Sequence, residues 1–538
     1  MSKKYIFKKS FINLVLILSI VLSFQMTSIT NATFMEQILG NTKALSLANS
    51  VTANPPGHMA VHYNPAGLSK LDEGVTISQG FALAKIERTY KFFPDEEYSK
   101  NPFRKLDPTL DPLAYSKGHV TNGRIYIPFA GAINLPILTA PVPFGISFKP
   151  TCSKWTFANA IYAPFAGGFE HDQDDPARYQ GEAVYLQHLI LFSPSVSYAY
   201  NNQLSFGVSF GLGQSAMGAI TDIRAPALID VLPGREDLVF EKLADMEFDA
   251  RDDITPSINL GILWEPNDYF SIGAVYQSPI KLNIKGKYRL SYTDDSMEIL
   301  NTMNKLSNLN ALRWWKIGHV NKRYEYGDIN ITDFQFPERV QIGIMVKPVK
   351  ELKLMCDFHW ANWSTTENYV MNFDQDIQVI MLSKVIGYNG PSNTVIYPKD
   401  FDDTWHLSFG LEYDLNKWLT FRFGYEDRQT CAKDNLFDLF TLPDVDMTGV
   451  GFGFRLPKGV EFDIGFAYLT YNDYEVENNT STNLNSLIDG VPIYSPYAGL
   501  NYETSFNAYI GSLNIKMPLE LALDIAQKQW MMIESLFY

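Results

Sequence analysis

The sequence predicts an all-β protein, a 14-stranded antiparallel transmembrane β-barrel that holds an N-terminal plug in its lumen. Two observations carry this prediction. Many segments alternate large apolar residues with small or polar ones, the period-two pattern of a sheet with two different faces. The connections between these segments alternate between short and long, which is typical of an outer-membrane barrel with tight periplasmic turns and larger extracellular loops.

The overall composition agrees with a β-rich, exported chain. The 538 residues include 44 Lys and Arg against 59 Asp and Glu, so the formal net charge is −15. An acidic chain lacks the basic surface that displaces counterions from phosphates, which excludes nucleic acid as a partner. Aromatic residues make up 14% of the chain, a content that favours strands and excludes disorder.

Residues 1–32 have the features of a secretory signal peptide. Lysines precede an apolar stretch from Phe11 to Phe24, and the small-residue site Thr30-Asn31-Ala32 follows it. The alternative is a permanent membrane anchor, but the apolar stretch is short for a spanning helix, which needs about 20 residues. No later apolar run is long enough for one either, which excludes a helical inner-membrane transporter.

Residues 33–74 lie between the signal peptide and the first strand. They are rich in small residues, and Pro55-Pro56-Gly57 and Asn64-Pro65-Ala66-Gly67 punctuate the chain. A folded segment of this length, attached to a barrel wall, fits inside the lumen. The sequence therefore predicts a plug.

The barrel is predicted over residues 75–517. In the clearest strand, Trp405 and Tyr413 end the apolar face and stand eight residues apart. At about 3.3 Å per residue this is roughly 26 Å, about the height of the apolar band between the aromatic girdles of such barrels. The fourteen predicted strands are 75–92, 122–149 (interrupted), 155–169, 184–200, 203–217, 253–264, 269–290, 335–347, 352–371, 404–414, 418–429, 447–456, 460–472 and 505–517.

The connection lengths decide between this barrel and a soluble β-sandwich. In a sandwich the apolar face of each strand would point to the core, and connection lengths would have no reason to alternate. Here the short connections are 150–154, 201–202, 265–268, 348–351, 415–417 and 457–459. The long ones include 218–252, 291–334, 372–403 and 473–504. The barrel is therefore the favoured interpretation.

Residues 518–538 run past the last predicted strand. Leu521, Ile525, Met532 and Leu536 recur at roughly helical spacing in this extension. The sequence therefore predicts a C-terminal periplasmic extension that is helical.

Several motifs resemble those of the FadL-type outer-membrane transporters, which carry long-chain fatty acids and aromatic hydrocarbons. The stretch 40–68 is similar to the family's N-terminal hatch, whose NPA motif corresponds to Asn64, Pro65 and Ala66, followed by Gly67. The other segments that match the family's pattern, in order, are 161–167, 177–180, 193–198, 274–280 and 336–339, together with Trp360 and Trp363. The start of the mature chain at 33–37 and the extension 518–538 depart from that pattern.

The resemblance implies a transporter that takes up a hydrophobic molecule, a fatty acid or hydrocarbon, by loop capture, hatch shift and lateral release through a kinked third strand. The sequence independently favours the kink, because Pro164 cannot donate to a sheet and glycines weaken a strand. The residues assigned to the lateral opening are Pro164, Phe165, Gly167 and Gly168. The alternative is an ordinary bulge or an early strand end at the rim.

The resemblance also implies that the loops after the fifth and seventh strands form an apolar groove for the ligand. Exposed apolar patches generally mark binding sites. The candidate groove residues are Leu228, Leu232, Met303, Leu306, Trp314 and Trp315. The alternative is that these side chains only pack the loops against each other.

Enzyme function is not expected. The glycine run 449–453 lies on a strand and opens no helix, so it is not a nucleotide loop. No spacing of Ser and His residues suggests a catalytic triad. Cys152, Cys356 and Cys431 fit no zinc, iron–sulfur or disulfide framework, and at most one bridge could form. We expect no metal and no cofactor.

The expected location is the outer membrane of a Gram-negative bacterium, where the barrel would contact lipopolysaccharide as a monomer. Two other functions are compatible with a barrel. A general-diffusion porin would have an open lumen, which the plug at 33–74 argues against. A structural or adhesive barrel would need neither a hatch nor a kinked strand.

Overall fold

A computed structural model of the chain describes residues 41–95, 106–140, 143–230, 236–308, 321–382, 384, 388–433, 442–476, 486–488, 491–494 and 496–537. The predicted signal peptide, residues 1–32, and the first residues of the predicted plug lie outside these ranges. Within them, no helix combines the length and the apolar character that crossing a membrane requires.

Fourteen antiparallel strands, β1 to β14, close into the predicted barrel. Each strand pairs with the next, and β14 pairs with β1 from Pro518 opposite Thr76 to Leu500 opposite Pro94. The first seven are β1 Gly74–Pro94; β2 in pieces at Lys117–His119, Leu138–Ala140 and Phe144–Lys149, interrupted by a hairpin whose arms Asn122–Ile127 and Gly131–Leu135 pair with each other; β3 Trp155–Glu170; β4 Ala183–Phe192 and Ser195–Ala199; β5 Leu204–Ile223; β6 Ala244–Asn267; and β7 Phe270–Gln277, Ile280–Lys281 and Ile284–Tyr292. The last seven are β8 Tyr324–Thr332, Gln335–Phe336 and Arg339–Val349; β9 Leu352–Ala361 and Asn368–Phe373; β10 Thr394–Pro398 and Thr404–Asp414; β11 Leu419–Arg428; β12 Val445–Leu456; β13 Val460–Val476; and β14 Leu500–Pro518.

The β6 strand shows which face of the wall meets the membrane. Ile258, Leu260 and Ile262 are exposed by 42%, 47% and 46% on the outside of the barrel. Their neighbours Asn259 and Leu263 are buried on the lumen side. A soluble sandwich would bury the large apolar side chains, so that alternative is wrong. The outward apolar row is the lipid-facing surface of a transmembrane barrel.

Several strands extend further on the long-loop side than the sequence pattern predicts. The pattern predicts 253–264 for β6, whereas the strand begins at Ala244 and its pairing with β5 continues to Ile223. In this added part the outward residues are exposed polar ones such as Asp245 and Glu247. The physical reason is that pairing continues beyond the bilayer, where an outward apolar row is no longer needed.

The described plug residues, 41–71, fold as short helices inside the barrel: α1 Thr42–Ser46, a 3-10 turn Gly57–Met59, α2 Ala60–Tyr63 and a 3-10 turn Pro65–Lys70. All of them except Lys70 are at least partly buried. On the long-loop side lie α3 Arg178–Gly181, α4 Pro226–Ile229, α5 Asp294–Asn308 and α6 Gln378–Leu382. The short turns, the start of β1 and the end of β14 share the opposite end of the barrel, where helix α7 Leu519–Phe537 follows β14.

Candidate functional site

The hatch, residues 41–71 of the plug, contains the motif Asn64-Pro65-Ala66. Asn64 fixes this motif through hydrogen bonds in two directions. The side chain of Asn64 caps the 3-10 turn by accepting from the backbone N–H of Ala66 at 3.1 Å. Its Nδ2 donates to the carbonyl oxygen of Thr52 within the hatch at 2.9 Å and to that of Ile262 in β6 at 3.0 Å. Pro65 fits the first position of the turn because it needs no N–H partner there. The motif therefore ties the hatch to itself and to the wall.

Glycines on the lumen face of the wall let the hatch approach the strands closely. A Cβ added at any of them would lie between 2.1 and 2.8 Å from a hatch atom, far inside the optimal carbon–carbon separation of about 3.5–4.0 Å. The contacts are Gly207 with Pro65, Gly261 with Asn64, Gly273 and Gly343 with Thr52, Gly424 with Leu47, Gly449 with Leu45, and Gly451 and Gly465 with Ser46. These glycines belong to β5–β8 and β11–β13, so seven of the fourteen strands provide such a close approach.

Hydrogen bonds from the wall hold the hatch in this cradle. The backbone N–H of Thr52 donates to Asp357 Oδ2 at 2.7 Å. The Gln277 side chain donates to the carbonyl oxygen of His62 at 2.6 Å, and Asn259 donates to that of Val61 at 3.0 Å. Every one of these side chains is buried. Since an unmade buried hydrogen bond costs about 1–3 kcal/mol, the contacts fix one position of the hatch.

Glu426 is a further anchor, in a cluster with two histidines. Its Oε2 accepts from Asn49 Nδ2 of the hatch at 2.9 Å and from Arg428 Nε at 3.0 Å, while His406 Nε2 lies 2.9 Å from Oε1. The ring of His359 stacks on that of His406 at 4.8 Å. His359, His406 and Glu426 are close enough together to hold a metal ion. However, both carboxylate oxygens already have donors, and the Arg428 guanidinium offsets the charge, so the chemistry is that of a hatch anchor.

The pairing of β3 with β2 breaks in the predicted opening. The two strands pair from Phe157 to Ile161, and their next pairing is at Phe169 and Glu170. In the described part of β2, residues 162–168 of β3 have no partner. On the other side, the register with β4 shifts between Tyr162 and Phe165. Pro164, which has no N–H to donate, lies within this shift.

The side chains show that β3 bends into the lumen at this break. Exposed and buried residues alternate before it, whereas Tyr162, Ala163, Pro164 and Phe165 are all buried. The Phe165 ring stacks on Phe336 of β8 with 4.0 Å between centroids. Since β8 lies five strands away from β3 around the barrel, the two rings meet inside the lumen. The predicted opening is therefore a break with an inward-pointing aromatic ring.

A small apolar cavity lies beside the bent strand. It measures about 50 Å³ and contacts Phe165, Gly167 and Gly168 of the predicted opening but not Pro164. Its other lining residues are Ile86, Arg88, Val120, Ala166, Phe169, Val184, Leu186, Phe336, Leu442 and Phe506. An apolar cavity of about 150 Å³ holds a benzene molecule. This one is smaller, so a ligand would have to widen it.

A second cavity, of about 190 Å³, lies between the hatch and the short-turn end of the barrel and is polar. In this cavity the Arg422 guanidinium forms ion pairs with Glu412, at 2.8 Å between Nε and Oε2, and with Asp463, at 2.6 Å between Nη1 and Oδ1. Lys43 and His58 of the hatch also line it. Burial lowers the pKa of Lys43 to about 8 and, together with the nearby Lys516 ammonium, that of His58 to about 4. An apolar molecule would gain little binding free energy by entering this charged cavity.

The predicted ligand groove is only partly described. Leu232, Trp314 and Trp315 lie outside the described residues, and nothing is described of the side chains of Leu228, Met303 and Leu306, which lie in α4 and α5. Their described neighbours Ile229, Leu238, Leu243, Ile299 and Leu300 are buried in one apolar cluster. The cluster extends from these loops down to Phe165 and Phe336. The described loop residues therefore pack together and connect the extracellular side with the bent strand.

A membrane barrel filled by an anchored hatch defines the class of this protein as an outer-membrane transport barrel. Residues 25–518 match the family described as "Outer membrane protein transport protein (OMPP1/FadL/TodX)". The match covers nearly the whole chain, which therefore belongs to this family. It is an outer-membrane protein, and the family to which it belongs consists of transport proteins, not enzymes.

Curated relatives and solved structures agree with this assignment. A 47 kDa outer membrane protein of Pasteurella multocida (strain Pm70) is 22% identical over 215 residues, 39% of this chain and 42% of that protein. The chain thus spans less than half of that relative. An outer membrane protein of Neisseria meningitidis serogroup B is 20% identical over 443 residues, 80% of this chain and 84% of that one.

Among solved structures, a Pseudomonas aeruginosa FadL homologue has a TM-score of 0.65 at 16% identity, covering 90% of this chain and all of that one. The Pseudomonas putida toluene transporter TodX has a TM-score of 0.57 at 13% identity, covering 90% of this chain and 99% of that one. At these identities the likeness shows the shared fold.

Sequence reasoning missed the wall residues that contact the hatch. The alternating glycines of β5 and β12 were visible, but a glycine on a strand does not show what approaches it. Arg339 was also missed as a lumen residue. It is 6% exposed, and its guanidinium carbon lies 5.4 Å from the centre of the Phe165 ring. The sequence signal for Arg339 is its place in the segment 336–339, which resembles the family's pattern.

Proposed function

We propose that this protein takes up hydrophobic molecules, long-chain fatty acids or hydrocarbons, and releases them sideways through the break in β3. The observation that carries the proposal is the unpaired stretch 162–168 beside an apolar cavity. Unpaired strand edges at membrane depth are tolerated only where they are buried in protein or line a cavity. A break at this position is therefore suited to be a gate in the wall.

The two cavities support a lateral exit over a periplasmic one. The cavity beside β3 is lined almost wholly by apolar side chains, whereas the one below the hatch is crossed by the ion pairs of Arg422. An apolar ligand gains about 25 cal/mol of binding free energy per Å² of apolar surface that it buries. Only the cavity beside β3 offers the apolar lining for this gain. A ligand that reaches Phe165 would thus leave through the wall into the membrane.

Capture would take place at the extracellular loops, with the apolar cluster as the path inward. The cluster joins Leu243 and Ile299 at the loops to Phe165 in the lumen. The groove residues predicted from the sequence, including Leu306 and Trp315, belong to the same loops. The hatch would have to shift from its cradle, as the family resemblance implies. We also propose that the barrel acts as a monomer in contact with lipopolysaccharide.

The test is to close the break without touching the loops or the hatch. In Pro164→Val/Gly167→Thr, a backbone donor and a β-branched side chain favour continuous pairing of β3. Gly168 stays unchanged, because a Cβ there would lie 2.4 Å from the carbonyl oxygen of Arg124. We expect uptake of a radiolabelled fatty acid and of toluene by expressing cells to fall about tenfold or more, roughly 1.4 kcal/mol in the rate-limiting step. Binding to the purified protein should be unchanged.

Gly511→Thr in β14 is the matched control, because a Cβ at Gly511 meets nothing within 4 Å. Heat-shifted gel mobility verifies that each variant forms a barrel. Normal uptake by a folded, sealed variant would contradict lateral release. The ligand would then leave past the hatch around Asn64, Pro65 and Ala66.

A further inference from the structure

The helix that follows the barrel, α7, exposes large apolar side chains. Leu523 and Trp530 are 60% and 69% exposed, and Ile525 and Met531 are 40% and 51% exposed. Exposed apolar surface of this kind marks an interaction site. The main contacts of α7 with the barrel are to β1 and β14, and the side chains from Leu523 to Met531 are all exposed. The barrel therefore does not cover the exposed apolar residues of α7, which are accessible to another partner.

Most of the apolar residues lie on one broad side of the helix, and Met531 is the exception among the four exposed ones. At 100° per residue, this side carries Leu519, Leu521, Ala522, Leu523, Ile525, Ala526 and Trp530, with Gln529 as a polar residue among them. The opposite side carries Glu520, Asp524, Gln527 and Lys528, and Lys528 Nζ bonds to Asp524 Oδ2 at 2.7 Å. This separation is that of an amphipathic helix, which requires an apolar surface on one side and water on the other.

The start of α7 is continuous with the lipid-facing surface of the barrel. Leu513 is 42% exposed on the outside of β14, and Ile515 and Met517 follow it on the same outward row. The strand ends at Pro518, and α7 begins at the next residue. Its first residues therefore lie where the membrane-spanning wall meets the periplasmic interface.

We propose that α7 lies flat on the inner, periplasmic leaflet of the outer membrane, with Leu523, Ile525 and Trp530 inserted among phospholipid chains. Up to Met531, its polar side holds two acidic residues and one basic residue, so no basic cluster draws it to anionic lipid. The attachment is therefore apolar in origin and insensitive to salt. A tryptophan suits this position, because its amphipathic ring favours the membrane interface.

The test places a fluorophore on each side of the helix in the full-length protein. The background is Cys152→Ser/Cys356→Ala, which removes the exposed and the half-buried thiol and leaves the buried Cys431. Ala526→Cys puts an environment-sensitive label on the apolar side, and Gln527→Cys is the matched control on the polar side. The labelled proteins are reconstituted in phosphatidylethanolamine and phosphatidylglycerol vesicles containing brominated lipid. Neither change alters Leu523 or Trp530.

We expect brominated lipid to quench the label at 526 about threefold more than the label at 527, equally at low and high salt. Heat-shifted gel mobility shows that both proteins are folded. Two results would overturn the proposal. Equal access of aqueous iodide to both labels would place α7 in the periplasm, and a cross-link between the 526 positions of two copies, without lipid quenching, would make a second copy its partner.

Discussion

Replacing Gly424 by alanine is expected to loosen the hatch while the barrel stays closed. A Cβ at this position would lie 2.1 Å from the carbonyl carbon of Leu47 and 2.4 Å from the backbone nitrogen of Ala48. Because carbon atoms pack at about 3.5 Å, the hatch must move away by about 1.4 Å. Local adjustment is difficult, since Ala48 and Asn49 already have φ angles of 44° and 59°, in the left-handed region.

A displacement of this size separates Asn49 from Glu426. Their hydrogen bond is 2.9 Å long, and a hydrogen bond to a charged group contributes about 1.5–3 kcal/mol. We therefore expect the free energy of opening the hatch to fall by about 2 kcal/mol. Since 1.4 kcal/mol is a factor of ten, amide exchange in residues 41–55 should become about 30-fold faster.

Hydrogen exchange of the protein in nanodiscs, followed by mass spectrometry, measures this change. Exchange in β1 and β14 should stay slow, because their pairing is untouched. Gly511→Ala serves as the control, since its Cβ has open space around it. Wild-type protection of the hatch in a folded Gly424→Ala protein would refute the close approach of hatch and wall.

Two further results are expected. Burial and Lys516 lower the pKa of His58 to about 4, below its unfolded value of about 6.5, so stability of the hatch is complete above pH 6.5 and is lost as the pH falls towards 4. Protection factors of hatch amides should drop over this range and drop less in His58→Gln; the same pH dependence in both proteins would exclude His58. Arg339→Gln should reduce uptake of a long-chain fatty acid about tenfold and leave toluene uptake unchanged, because only the acid offers a carboxylate to the guanidinium. Equal losses for both would mean that Arg339 only supports Phe165.

The strand order and the membrane-facing surface were predictable because they are local properties. Lipid requires an apolar residue at every second position, and the alternation around Trp405 and Leu260 is visible in the sequence. The same rule explains the error in the strand ends. The upper part of β6, with Asp245 and Glu247 facing outward, is free of this requirement and so carries no readable pattern.

The sequence marked Pro164 and Gly168 as a weak point of the wall, because proline and glycine disfavour sheet pairing by themselves. The sequence could not show which neighbouring strand stops pairing with β3. The structure shows that residues 162–168 do not pair with the described part of β2 and that the Phe165 ring stacks on Phe336. Both depend on contacts between segments far apart in the chain.

The sequence by itself determined that this chain is exported, forms a barrel of fourteen strands and carries a plug, since composition, periodicity and spacing are properties of the chain alone. Only the tertiary structure decided how the plug is held. The close approach of Gly424 to Leu47 and the bond from Asn49 to Glu426 join residues hundreds of positions apart. Barrel closure brings them together, and no local pattern encodes which strand faces which part of the hatch.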